Sequence, residues 1–221
     1  MSPRDGIAAP MSKGFLEVDP HDIAIHLAAA EGSVLLLDFD DTLWLRNSTV
    51  EFLKSTRPAI LMSALRRLFK PAKRARYSSD AVHDRNWRLV FSVVALSPWT
   101  LWRWRKTAPH KAARHMNPAL LTAMRKAPPK RIIVISFGYS AVIRPLLDAA
   151  GLGHVELIAA PLWDGARWSK RGKRQIMEDA VPADQLDVAT FVTDDLMDED
   201  LLKRVGTGVL CKWHAPRRHP R

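Results

Sequence analysis

Five short apolar runs recur along the chain, and within each run the apolar positions are continuous rather than alternating with polar ones. They span residues 33–39, 131–136, 155–159, 188–193 and 207–212. Continuous runs of this length are typical of strands in a parallel sheet that helices cover on both faces. Helical segments are predicted between them, at 140–150, 173–181 and 199–205. This alternation predicts an α/β fold built on a doubly wound parallel sheet.

Residues 43–130 interrupt this alternation, because they contain no strand-like run and are far longer than one crossover helix. Amphipathic helix is predicted over 49–69, with an interruption near Pro58, and an apolar segment over 85–105 contains four tryptophans, Trp87, Trp99, Trp102 and Trp104. We therefore predict an inserted α-helical cap. The predicted organisation is a flexible leader (1–20), a core (21–45 and 128–213), a basic helical cap (46–127) and a basic tail (214–221).

Charge separates the same regions. The chain carries a net charge of +11, but residues 43–130 hold 19 Lys+Arg against 3 Asp+Glu, a balance of +16, and the rest holds 15 against 20, a balance of −5. A basic region attracts phosphates, nucleic acid or an anionic membrane surface. A solubilising basic face explains the charge equally well.

The expected location is cytoplasmic, with peripheral membrane contact as an alternative. The single cysteine, Cys211, excludes a disulfide framework and fits a reducing compartment. The first 30 residues do not resemble a secretory signal. No stretch reaches the roughly 20 apolar residues that a membrane-spanning helix needs.

Carboxylates follow two of the predicted strands directly. Asp38 and Asp40 end the first run, and Asp194, Asp195 and Asp198 follow the fourth. The carboxyl ends of parallel strands border the crevice in which α/β folds bind ligands. Magnesium prefers oxygen ligands of this kind and is usually held by one or two carboxylates, water and substrate phosphate. The alternative is that the acids only cap helices and complement helix dipoles.

Two further segments carry groups that suit an anion. Ser136 ends the second predicted strand, and Gly138 lets the backbone approach a ligand closely before a helix begins. Lys170 and Lys173 precede the fourth strand, and either lysine suits a phosphate and an aspartate together. Taken alone, the Ser136 segment is equally explained as a helix cap, and the lysine segment is equally explained as a solvated basic turn.

Together these residues resemble the motifs of the haloacid dehalogenase (HAD) superfamily, which has a Rossmann-like core. The DxDxT pattern at 38–42 resembles the first motif and Ser136 the second, Lys173 (or Lys170) resembles the third, and Asp194 with Asp198 the fourth. The motifs occur in family order over roughly residues 32–212. Asp41 and Thr193 occupy positions where glycine is commoner in the family. The insertion between motifs one and two resembles the helical cap of the phosphoserine-phosphatase-like subclass.

The resemblance implies a Mg²⁺-dependent phosphatase that forms an aspartyl-phosphate on Asp38. Asp40 would act as the acid and base, which favours a phosphatase over a dehalogenase and leaves a phosphotransferase or phosphomutase open. The implied magnesium ligands are Asp38, the Asp40 backbone carbonyl and Asp194, supported by Asp195 and Asp198. The implied phosphate-binding residues are Thr42, Ser136, Gly138 and Lys173, with Lys170 as the alternative.

The sequence supports competing interpretations of the substrate and the partners. In one, the tryptophans pack the cap onto the core and the substrate is a soluble phosphomonoester. In the other, the basic, tryptophan-rich cap rests at an anionic membrane interface and the substrate is a lipid-linked phosphate. A non-catalytic nucleic-acid-binding protein is a third hypothesis, but no nucleic-acid-binding motif accompanies the charge. His83, His110 and His115 are interpreted as ordinary surface or packing residues.

Overall fold

The computed structural model describes residues 14–28, 32–69 and 79–213, and it contains one parallel sheet of six strands. The strands are β1 (Leu16–Val18), β2 (Val34–Asp38), β3 (Arg131–Tyr139), β4 (Glu156–Ala160), β5 (Thr190–Thr193) and β6 (Thr207–Cys211). Their order across the sheet is β1-β6-β5-β2-β3-β4. This order puts β2 at the centre, between β5 and β3, so that the ends of the acid-bearing strands are neighbours.

Helices connect the strands and account for most of the other elements. They are α1 (Ile23–Ala28), α2 (Ser48–Lys54), α3 (Ala59–Leu68), α4 (Ser79–Leu96), α5 (Pro98–His115), α6 (Pro118–Lys126), α7 (Ser140–Ala149), α8 (Gly165–Ala180), α9 (Ala183–Val188) and α10 (Glu199–Leu202). Apolar side chains form a cluster on each side of the sheet. The predicted α/β fold with a doubly wound parallel sheet is therefore confirmed.

The strand boundaries differ from the predicted ones where a neighbouring element competes for the same residues. Helix α9 extends to Val188, so β5 begins at Thr190. Strand β3 continues past Ser136 to Tyr139, with an irregular register against β4 after Ser136.

Strand β1 was missed, and the predicted leader is wrong at its C-terminal end. Leu16 pairs with Val209 and Val18 with Cys211, so this part of residues 1–20 belongs to the sheet. The strand is three residues long, and only Val18 among them is buried, which gives too little apolar pattern to detect. Residues 1–13 of the predicted leader and the predicted tail, 214–221, lie outside the described residues.

Helices α2 to α6 lie between β2 and β3, in the interval predicted to be a cap. The apolar segment 85–105 is divided between α4 and α5 at Ser97 and Pro98, because proline suits the first turn of a new helix. The inserted helices share one apolar cluster with the core, where the Trp104 indole N–H donates to the Val142 carbonyl at 2.8 Å. The proposed division into core and cap domains stays a prediction.

No helix in the described ranges combines the length and the hydropathy that crossing a bilayer requires.

Candidate active site

The chain reverses sharply after β2 and holds Asp38 at the strand's end. The carbonyl of Asp38 accepts from Leu43 N at 3.4 Å, and the carbonyl of Phe39 accepts from Trp44 N at 2.8 Å. Asp41 lies within this turn with a φ of 59°, in the left-handed region that favours glycine. The turn leaves Asp38 buried, with only 5 % of the residue exposed.

Lys173 bridges two buried carboxylates. Its ammonium Nζ lies 2.6 Å from Asp38 Oδ1 and 2.7 Å from Asp198 Oδ2. The Thr193 hydroxyl also donates to Asp198 Oδ2, at 2.8 Å. Asp198 therefore fixes Lys173 against Asp38.

A backbone break in α8 directs Lys173 into the site. Gly172 has φ 74° and ψ 151°, which is not helical, so a new helical run begins at Lys173. Lys170, which precedes the break, is exposed. Of the two lysines, the structure therefore puts Lys173 against the acids.

The Asp40 carboxylate bonds to the backbone at the start of α2 and to Ser136. Its Oδ1 accepts from Ser48 N at 2.6 Å, at the start of α2, and its Oδ2 is 3.5 Å from the donating Ser136 hydroxyl. The Ser136 oxygen accepts from Gly138 N at 2.9 Å. A Cβ at Gly138 would lie 3.2 Å from Asp40 Oδ2 and 2.9 Å from Ile143 Cδ1, so a larger residue would displace the end of Ile143 and crowd the Asp40 carboxylate.

Thr42 joins the turn after β2 to the end of β5. Its hydroxyl donates to Asp194 Oδ1 at 3.0 Å and accepts from Asp194 N at 3.0 Å. Asp195, by contrast, caps the short 3-10 turn that follows, since its side chain accepts from Met197 N at 3.0 Å. Its carboxylate therefore has a local structural role in addition to its position at the site.

Burial raises the pKa of three carboxyls at this edge of the sheet. Burial raises the pKa of Asp38 to about 8, although Lys173 opposes the shift. Burial likewise raises the pKa of Asp40 to about 6 against the opposing hydrogen bond from Ser48, and that of Asp194 to about 6 against the hydrogen bond from Thr42. Burial lowers the pKa of Lys173, but Asp38 and Asp198 outweigh it and raise that pKa, so the lysine stays charged.

The donor set suits a magnesium ion. Asp38, Asp40 and Asp194 line one pocket, and oxygen donors of this type are the ligands that magnesium prefers. Burial raises the pKa of Asp38 and of Asp194 by disfavouring their charged forms, and a bound cation would stabilise those charged forms. Across the described residues, no group of three or more Asp, Glu, His or Cys side chains forms a metal site by itself. The expected set needs only two carboxylates and a backbone carbonyl, because water and phosphate complete magnesium coordination.

The pocket above these residues has a volume of about 190 Å³. Inserted helices supply part of its lining, namely Asn47, Thr49, His83 and Asn86, and Phe137 and Tyr139 come from β3. The His83 ring meets Phe137 edge-on, with 5.2 Å between the ring centroids. His83 was interpreted as an ordinary surface or packing residue, and it does pack against Phe137, but its position in the lining of the pocket was not predicted. Its three-residue spacing from Asn86 on one helix face was the available signal, but the sequence does not connect that face to the site.

Most of the residues singled out in the sequence meet at this edge. Nine of the ten candidate site residues line the pocket or bond to a residue that does, and they are Asp38, Asp40, Thr42, Ser136, Gly138, Lys173, Asp194, Asp195 and Asp198. Lys170 does not join them. The catalytic, phosphate-binding and metal-binding roles of the nine stay predictions.

Comparison with solved structures identifies the fold. A HAD family hydrolase from Salmonella enterica subsp. enterica serovar Typhi matches 81 % of this chain and 62 % of its own, with 13 % identity and a TM-score of 0.50. A phosphoserine phosphatase in apo form matches 82 % of this chain and 86 % of its own, with 14 % identity and a TM-score of 0.48. No protein-family model matches the sequence, and neither does any curated protein. The chain therefore has the fold of a HAD family hydrolase, as its motifs predicted.

Proposed function

We propose that this protein is a magnesium-dependent phosphomonoester hydrolase that works through an aspartyl-phosphate on Asp38. The observation that carries the proposal is the arrangement around Asp38, which pairs with Lys173 at 2.6 Å and shares a pocket with Asp40, Ser136 and Asp194. A structural ion pair would need only Asp38 and Lys173. The additional acids and the serine at the same strand edge favour catalysis.

In the first step, an Asp38 oxygen attacks phosphorus, and the bond between phosphorus and the leaving oxygen breaks. The product is an acyl phosphate on Asp38 and a free alcohol. Lys173 keeps positive charge beside the nucleophile and the phosphoryl oxygens, which favours the ionised carboxylate.

Asp40 is the acid and base of both steps. Its pKa of about 6 leaves a protonated fraction near neutrality, as donation to the leaving oxygen requires. The resulting carboxylate then takes a proton from the water that hydrolyses the aspartyl-phosphate. The hydrogen bond from Ser48 N holds this side chain in one orientation.

The phosphoryl group is held by the hydroxyl of Ser136, the amide at Gly138 and the ammonium of Lys173, while the buried Thr42 hydroxyl orients Asp194. Asp38, the Asp40 carbonyl and Asp194 would hold magnesium, with Asp195 and Asp198 in support. When bound, the ion would supply positive charge that offsets the charge of the phosphoryl oxygens.

The substrate is a phosphomonoester whose leaving group contacts inserted helices. His83 and Asn86 reach the pocket from α4, and Asn47 and Thr49 reach it from the start of α2. These neutral polar side chains suit a leaving group that carries its own hydrogen-bonding atoms.

Phosphate release from an aryl phosphate, with and without magnesium, tests the proposal. Asp38→Asn is expected to lower turnover by at least about 10⁴-fold, because it removes the nucleophile. Asp187→Asn makes the same chemical change at an exposed carboxyl and should leave turnover unchanged. If the wild type neither turns over the substrate nor captures beryllium fluoride at Asp38, the proposal is wrong.

A further inference from the structure

Four large apolar side chains are exposed together near the start of α5. They are Ile60, Leu96, Trp99 and Trp102, and they are 76 %, 57 %, 49 % and 57 % exposed. We call these residues the apolar strip. Exposed apolar side chains that lie close together mark an interaction surface more often than isolated ones do.

Hydrogen bonds hold two parts of the strip together. The Arg57 carbonyl accepts from the Trp99 indole N–H at 3.1 Å and from the Ser97 hydroxyl at 3.0 Å. These bonds join the segment before α3, which leads to Ile60, to the segment between α4 and α5. They fix Trp99 against the segment that leads to Ile60.

Helix α5 buries the opposite face. Thr100, Trp104, Ala108 and Ala112 recur every four residues and are buried. At 100° per residue, Trp99, Trp102, Arg103 and Lys106 lie together on the outward face. The Lys106 ammonium lies 4.5 Å from the centroid of the Trp102 ring, so cation and aromatic are already paired on this face.

A basic cleft of about 280 Å³ opens beside the strip. It is lined by the cations Lys54, Arg57, Arg103 and Lys111 and by one acid, Glu51. Glu51 accepts from Lys54 at 2.8 Å, which leaves three cations without that partner. Burial raises the pKa of Glu51, but Lys54, Lys111 and Arg46 outweigh it and lower that pKa, as a positive local field requires.

We propose that the apolar strip and the basic cleft together dock the protein on an anionic lipid bilayer. Tryptophan and leucine would enter the interfacial region, and the cleft would take the phosphate of a lipid headgroup. Nucleic acid would bind the cations, but exposed leucine and isoleucine would not contribute to its binding. The combination of cations and apolar side chains therefore favours lipid. The proposal does not depend on the phosphatase proposal, because none of these residues lines the active-site pocket.

Co-sedimentation of the full chain with vesicles tests the proposal. The protein is expected to bind vesicles of phosphatidylcholine with phosphatidylserine and not phosphatidylcholine alone, and the binding should weaken as salt rises. Arg103→Ala with Lys106→Ala should lower the partition coefficient about thirtyfold. Trp99→Ser with Trp102→Ser should lower it about tenfold.

Matched control variants test whether vesicle binding depends on this surface or only on the overall charge and aromatic content of the protein. Arg125→Ala with Lys126→Ala removes two exposed cations from α6, and Trp163→Ser removes an indole that is 77 % exposed; both should bind vesicles as the wild type does. Asp38→Asn should also bind as the wild type does, which keeps this test separate from catalysis.

Absence of vesicle binding, equal binding to both vesicle types, or unchanged binding by both the Arg103→Ala with Lys106→Ala variant and the Trp99→Ser with Trp102→Ser variant would overturn the proposal. Salt-sensitive binding of a single-stranded RNA that the Arg103→Ala with Lys106→Ala variant loses, with no vesicle binding, would reassign the surface to nucleic acid. Thermal unfolding of each variant shows whether a loss of vesicle binding comes from misfolding.

Discussion

The carboxyl edge of the sheet and the inserted helices use their polar and aromatic residues in opposite ways. At the sheet edge, charge is buried, and Asp38, Lys173 and Asp198 satisfy one another. On α5, the cations stay in solvent, and two tryptophans that are two positions apart differ in burial: Trp104 is fully buried and Trp102 is 57 % exposed. At the sheet edge, the role of a residue depends on buried charge that its neighbours neutralise. On α5, it depends on the helix face that the residue occupies.

The same difference in burial assigns the two interpretations of the tryptophans to different residues. Trp87 and Trp104 pack inward and donate their indole N–H groups to the carbonyls of Leu162 and Val142, both at 2.8 Å. Trp99 and Trp102 are exposed on the outer face. Packing of the inserted helices therefore accounts for one pair, and a surface function is available only to the other.

The largest effect is expected at Lys173. Lys173→Met removes the cation between two buried carboxylates, and breaking such a group should lower the free energy of unfolding by about 3–5 kcal/mol. Turnover should be lost as well. The control is Lys170→Met, at an exposed position, which should change the free energy of unfolding by less than about 0.5 kcal/mol.

The Lys173→Met penalty should also depend on pH. The folded-state pKa of Asp38 already lies above its unfolded value, at about 8, and losing the lysine raises it further. A raised folded-state pKa favours folding at low pH and costs stability as pH rises through it. Below about pH 8, Asp38 is mostly protonated in both folded proteins, so urea unfolding should show a penalty that changes little from pH 6 to pH 8 and is larger at pH 9; a penalty that grows towards low pH would contradict this.

The next largest effect concerns the buried side of α5. Trp104 packs edge-on against Phe52, with 5.6 Å between centroids, and donates to Val142 O. Trp104→Ala should therefore lower the free energy of unfolding by about 3–5 kcal/mol. Trp102→Ala, two positions away on the exposed face, should change it by less than about 0.5 kcal/mol. Similar losses at both positions would mean that the two faces of α5 do not differ as described.

The meeting of the acids at one sheet edge was predictable because backbone direction determines it. Asp38, Asp40 and Asp194 follow apolar runs, and parallel strands put the ends of such runs at one edge whatever the loops do. The central strands were predictable because β2 and β5 are fully buried and contain the consecutive apolar residues 34–37 and 191–192. The short, half-exposed β1 had no such pattern.

What could not be predicted depends on contacts between distant segments. The choice of Lys173 over Lys170 follows from the non-helical backbone at Gly172, which sequence periodicity does not reveal. His83 and Asn86 reach the pocket only because α4 packs against α8, where Trp87 lies against Gly165 so closely that a Cβ at Gly165 would be 2.6 Å from its ring. The spacing of His83 and Asn86 marks one helix face, but nothing in the local sequence indicates which element that face packs against.

Magnesium binding at the sheet edge should stabilise the protein to an extent that depends on pH. Asp38 and Asp194 must release protons to bind the ion, and their pKa values are about 8 and about 6. The metal-free protein should accordingly lose stability as pH rises through this range, and magnesium should restore it. At 100 times the dissociation constant the gain is about 2.7 kcal/mol.

Thermal unfolding with and without magnesium, measured from pH 5 to pH 8, checks this dependence. The magnesium-induced rise in Tm should shrink steadily as pH falls. Asp194→Asn should remove most of the rise at every pH, whereas Asp187→Asn, at an exposed carboxyl, should keep it. A rise that grew at low pH would place the binding site elsewhere.

The smallest effect is expected at Asp41, where conformation and charge at the sheet edge can be separated. A non-glycine residue at φ 59° carries a backbone cost that glycine does not, and Asp41 also raises the pKa of Asp194. Asp41→Gly should therefore raise the free energy of unfolding by less than about 1 kcal/mol, since the greater freedom of glycine in the unfolded chain offsets part of the gain. Asp41→Asn removes the same charge but keeps a side chain that tolerates this conformation. If both variants gain equally, charge repulsion explains the effect; if only Asp41→Gly gains, the backbone of the turn does, and the glycine common at this position in the HAD superfamily then has a conformational origin.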